Sequence, residues 1–140
     1  MTDAARRILM AILLIGIAGL SLELWLLAHV EDIYQLIPLV LNGAGAFAAA
    51  LVATRPSTGT IRLLQSVMVL FVISGALGMW LHYVATTEFQ LEMDPSLSGW
   101  ALFRKAIVAK APPALAPGAM AQLGLIGLAY TFRHPVTRPA

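Results

Sequence analysis

Four side chains stand out because each interrupts a long apolar run: Glu23, Asn42, His82 and Gln122. A charged group inside such a run costs about 2.5–3.5 kcal/mol even on the lenient insertion scale, so it ordinarily faces a partner or a cavity. Glu23 and His82 together could relay a proton or hold a cation, with the amides of Asn42 and Gln122 orienting them. The same four residues equally suit a structural hydrogen-bond network that fixes helix register, because polar side chains in membrane bundles bond across helices. Both readings stay open at the level of sequence.

Metal and redox chemistry find thinner footing. His29 and His82 fall near the same surface on two different apolar runs, so they are weak candidates for axial ligation of haem b or for a quinone-binding redox module. A dimetal carboxylate centre wants Glu-x-x-His pairs, and neither Glu23 with His29 nor Glu88 with Glu92 supplies one. With no cysteine, disulfides, iron–sulfur clusters and thiol catalysis are excluded. There is no Gly-x-x-x-x-Gly-Lys-Ser/Thr loop and no His-Glu-x-x-His. Ser21, between Gly19 and Glu23, lacks the second glycine of a nucleophile elbow, and a serine in an apolar helix commonly bonds its own backbone. The methionines form no soft-metal cluster. No catalytic residue emerges, the cofactor is left open, and a non-enzymatic protein is the expectation.

The elements that position these residues carry a recurring pattern. Gly16-x-x-Gly19-x-x-x-Glu23 and Gly75-x-x-Gly78-x-x-x-His82 share one spacing. On a helix, positions i, i+3 and i+7 lie on one face, so each glycine pair clears a close-contact strip ending at the ionisable group. The pattern predicts that these two faces approach one another and bring Glu23 near His82. Gly124 and Gly127 offer a further packing strip with Gly118, and Gly43, Ala46, Ala50 and Ala53 another. The two halves also end alike, at Thr54-Arg55-Pro56 and Thr131-Phe132-Arg133-His134-Pro135, the trace of a parallel internal repeat or of residues common at membrane helix ends.

Composition fixes the class. The 140 residues are 59% apolar and 11% charged, with mean hydropathy +0.83. Several segments reach the length of about 20 apolar residues that a bilayer-spanning helix needs. The expected fold is all-α: one domain, residues 1–140, forming a four-transmembrane-helix antiparallel bundle with spans near 8–30, 36–54, 61–86 and 114–132. The first run is too long for a signal peptide and lacks a small-x-small cleavage site, so it reads as a retained span. Pro38 suits the first turn of the second helix.

Arg6, Arg7, Arg55, Arg62, Arg133 and Arg138 fall at one side of these spans, with Arg104, Lys105 and Lys110 at the other beside Glu31, Asp32, Glu88, Glu92 and Asp94. Because Lys and Arg favour the cytoplasmic side, both termini are expected inside an inner, or cell, membrane. The pI near 9.4 reflects these helix-end charges, not nucleic-acid binding. Trp25, Tyr34, Trp80 and Tyr83 then gather at the outer interface. His134 is expected outside the bundle, touching headgroups.

The outer loop 87–113 is the least apolar stretch and the expected seat of recognition. Asp94 or Ser96 is placed to cap a short interfacial helix running from Leu97 to Ala111. Leu97, Trp100, Ala101, Ile107 and Val108 share its apolar side, where Arg104 snorkels while Lys105 and Lys110 lie off it. The expected partners are the bilayer and either copies of the chain or a larger membrane complex. The function read from sequence is an accessory subunit or homo-oligomer, with a proton-coupled transporter using Glu23 and His82 as the alternative.

Overall fold

The computed structural model describes residues 1–27, 33–109 and 114–137. The regular elements among these residues are all helices: α1 (Asp3–Leu26), α2 (Ile33–Thr54), α3 (Thr58–Met93), α4 (Gly99–Ile107) and α5 (Leu115–Thr131), followed by a 3-10 turn at Pro135–Thr137. Three of them, α1, α2 and α3, are long and apolar enough to cross a membrane, and α5 is a shorter apolar helix of 17 residues.

Local chemistry starts and stops these helices. The Thr2 hydroxyl accepts from the Ala5 N–H at 3.3 Å and opens α1. Arg55-Pro56 stops α2, and Ser57 then forms a reciprocal capping box with Thr60 that starts α3. Two expectations need correction here. Pro38 is the sixth residue of α2, not part of its first turn, so one rung of the helical ladder is missing within the element. α3 does not stop near residue 86 but continues to Met93, because nothing between Thr86 and Met93 breaks a helix. At about 1.5 Å per residue its 36 residues reach about 54 Å, well beyond a hydrocarbon core of about 30 Å.

Packing follows two apolar stripes that small residues let close. α1 buries Leu13, Ile17, Leu20 and Leu24, and α3 buries Ile61, Leu64, Met68 and Phe71. α1 packs against α5 and α2, while α3 packs against α5, α2 and α4. The α3–α5 seam is the tightest. A methyl at Gly75 would sit 2.6 Å from the Pro117 carbonyl oxygen, and one at Gly124 would sit 2.7 Å from that of Met68. Gly127 rests against the Met68 side chain, and Gly45 of α2 lies against Phe71 and Ile17.

The two glycine faces singled out in the sequence therefore do not meet each other. Gly75 and Gly78 receive α5, at Pro117 and Ala121, and Gly16 lies against Leu123 of α5. Gly19 faces open space, as do Gly43 and Gly118. Gly124 and Gly127 are filled from within by α3, so of the α5 strip only Gly118 stays open.

Candidate functional site

Only two of the four polar residues that interrupt the apolar runs are brought together. Glu23 on α1 and Gln122 on α5 line one groove with Ile12, Gly16, Leu20 and Ala119, about 390 Å³ in volume. Both side chains are exposed rather than enclosed. On α1 the groove residues Ile12, Gly16 and Glu23 stand one step around the helix from the buried stripe through Leu13, Ile17, Leu20 and Leu24, of which Leu20 also reaches the groove, so Glu23 flanks the seam without entering it.

Asn42 lies elsewhere, on the inward face of α2 and 1% exposed. Among the described residues neither its Nδ2 nor its Oδ1 has a hydrogen-bond partner. His82 is exposed on α3. It continues the Gly75–Gly78 face by one further turn, but α5 begins only at Leu115 and seats Pro117 against those glycines. Of the four residues Glu23, Asn42, His82 and Gln122, the groove thus takes only Glu23 and Gln122. Ser21 donates to the Ile17 carbonyl at 2.8 Å, a bond to its own helix.

His29, Glu31, Asp32, Lys110 and Arg138 lie outside the described residues. Among the described residues no three His, Cys, Asp or Glu side chains gather as a metal site.

The opposite end of α1 holds a cluster that sequence reasoning missed. Arg6 is 6% exposed, and its guanidinium donates to the carbonyls of Tyr130 at 2.7 Å, Arg133 at 3.0 Å and Phe132 at 3.3 Å. These are carbonyls that the end of α5 leaves unpaired, and a cation there also meets the negative end of the helix dipole. The signal was present: Arg6 precedes Leu13 by seven residues and so falls on the buried stripe of α1. Arg133 follows with φ 47°, the left-handed turn that commonly closes a helix.

His134 is drawn into this cluster, contrary to its expected place among headgroups. It is 8% exposed, its ring centroid lies 5.6 Å from that of Tyr130, and Nδ1 accepts from the Val136 N–H at 3.4 Å. Burial, then the nearby Arg6 charge, holds its imidazole below the ordinary histidine pKa. The Thr58 hydroxyl donates to the Val136 carbonyl at 3.3 Å and joins the start of α3 to the same end.

At the far end, α4 folds back on the projecting part of α3. Ala106 is fully buried there, and Phe103 stands 6.0 Å from Tyr83 between ring centroids. The expected cap is replaced: Ser98 precedes the helix without a side-chain bond, and Gly99 takes φ 53°. Asp94 instead ends α3 and accepts from the hydroxyl and N–H of Ser96 at 2.6 and 3.1 Å. Those two bonds, with a weaker contribution from Lys105, hold its carboxyl below the usual range. Leu97, Trp100, Ala101 and Val108 line one concavity with Arg104 and also with Lys105, which the helical spacing had put off that side.

Across comparisons with known proteins, no family model, no curated protein and no solved structure matches this chain.

Proposed function

We propose that this chain is a non-enzymatic integral membrane protein that works by lateral association, as an accessory subunit or a homo-oligomer. In this reading α1, α2, α3 and α5 form a four-span antiparallel bundle in an inner membrane. Both termini lie in the cytoplasm, as the excess of arginines at that end favours. At about 1.5 Å per residue α5 covers about 26 Å, the short end of what spans a bilayer.

One observation carries the reading: Glu23, a carboxylate within the apolar helix α1, is exposed beside an equally exposed Gln122 in the α1–α5 groove. Facing lipid, such a group is costly; against a second helix its oxygens find donors. Gly19 below it leaves room for a close approach, with nothing within 4 Å of a methyl placed there.

Because the chain has no cysteine, single substitutions report contacts cleanly. Ile15→Cys in the groove and Ile73→Cys on α3 are both exposed, at 72% and 56%. Oxidative or bifunctional cross-linking in native membranes is expected to trap Ile15→Cys in an adduct and leave Ile73→Cys monomeric. The adduct mass separates a second copy from a different subunit. A monomeric Ile15→Cys refutes lateral docking through this groove.

A further inference from the structure

We propose that the concavity on α4 is a binding site for an anionic phospholipid, its phosphate held by Arg104 and Lys105 and its upper acyl chain laid along Trp100 and Val108. The inference rests on the membrane reading above but not on lateral association.

The concavity is about 590 Å³, and its wall divides by chemistry into two cations and four apolar residues, Leu97, Trp100, Ala101 and Val108. Trp100 and Val108 are 72% and 75% exposed, an apolar surface that water alone would leave unsatisfied. The helix is held in place by buried Ala106 and by the stack of Trp100 on Phe103, with ring centroids 5.1 Å apart, which in turn abuts Tyr83. Tyr83 stands 6.2 Å from Trp80 on α3, so α4 joins a set of aromatic rings of the kind that marks the headgroup level of a bilayer.

Charge complementarity selects the occupant. Lys105 is partly engaged by Asp94 at 4.0 Å, whereas Arg104 makes no ion pair among the described residues. A guanidinium with an adjacent ammonium suits a phosphate diester, and the guanidinium can bind two of its oxygens at once. A zwitterionic lipid brings its own cation to the same place and is the poorer match. A soluble anion leaves Trp100 and Val108 uncovered.

Trp100 is itself the reporter, in a Trp25→Phe/Trp80→Phe background that removes the other two tryptophans. The full chain is reconstituted into phosphatidylcholine nanodiscs carrying a minor fraction of brominated phosphatidylglycerol or brominated phosphatidylcholine. Quenching of Trp100 is expected to favour the brominated phosphatidylglycerol about five- to thirtyfold, from one to two cations near an anionic headgroup. Arg104→Gln/Lys105→Gln is expected to equalise the two, and Arg104→Lys/Lys105→Arg to keep the preference. Equal quenching in the parent background overturns the lipid site while leaving the membrane reading intact; quenching by neither lipid also overturns the site, because α4 then lies away from the acyl chains, and failure of the chain to enter the disc bilayer is what overturns the membrane reading. Suppression of the preference by soluble glycerol phosphate also overturns it, because the site would then read the free anion.

Discussion

Replacing Gly75 by alanine tests the seam that positions every other element. The added methyl meets the Pro117 carbonyl oxygen at 2.6 Å, the Ala121 nitrogen at 2.7 Å and the Ala121 Cβ at 2.8 Å. None of these atoms can rotate away, since two are backbone and the third is fixed to it. Ordinary contact begins at 3.4 Å, so α3 and α5 must part by about 0.8 Å. A gap of about 0.5–1 Å forfeits a quarter to a half of each dispersion contact it opens. That loss extends along the seam to Gly124 and Gly127, where α5 touches Met68 and Phe71. Overpacking of this kind costs about 1–3 kcal/mol. The higher helix propensity of alanine returns up to about 1 kcal/mol. A net loss of about 1–2 kcal/mol is expected in thermal or denaturant unfolding of the purified protein in detergent, followed by helical circular dichroism. Gly19→Ala and Gly43→Ala add methyls to open space and are expected to leave stability unchanged or slightly raised. If Gly75→Ala unfolds with Gly19→Ala, the α3–α5 seam is wrong. If Gly19→Ala is the damaging one, the glycine faces of α1 and α3 meet after all.

The Arg6 cluster makes a second demand. Arg6→Ala leaves three carbonyls without their charged donor, and a loss of about 2–4 kcal/mol is expected, with Arg6→Lys recovering only part because an ammonium lacks the planar fork. Unfolding midpoints in detergent check this, and a wild-type midpoint for Arg6→Ala refutes the lock. Asn42→Leu is expected to hold or raise stability by about 1–3 kcal/mol, because both of its buried polar atoms lack partners. A lowered midpoint for Asn42→Leu would show that the amide has a hydrogen-bonding ligand.

How far the candidate site could be read in advance differs residue by residue. Glu23 and Gln122 were visible as costly groups in apolar runs, yet their shared groove depends on α5 packing beside α1, which no spacing specifies. His82 continued the correct face of α3, but the face runs past the start of α5 and so leads out of the seam. Asn42 was visible as polar, while its burial depends on which side of α2 turns inward. Arg6 was counted only as a topological charge, because a basic residue at the start of a span is ordinarily solvated.

The sequence alone determined the helical class, the apolar runs long enough to cross a bilayer, the polar turn at Arg55-Pro56 and the presence of an amphipathic segment after Asp94. Those features are local: run length answers to bilayer thickness, and turns to proline and capping chemistry. Only the tertiary structure decided that Gly75 and Gly78 receive α5, that Glu23 flanks a groove, and that Arg6 closes the end of a helix lying 124 residues further along. The reason is physical. A helix face turned to lipid and one turned to protein are both apolar, so hydropathy cannot tell them apart, and the choice falls to close packing between backbones.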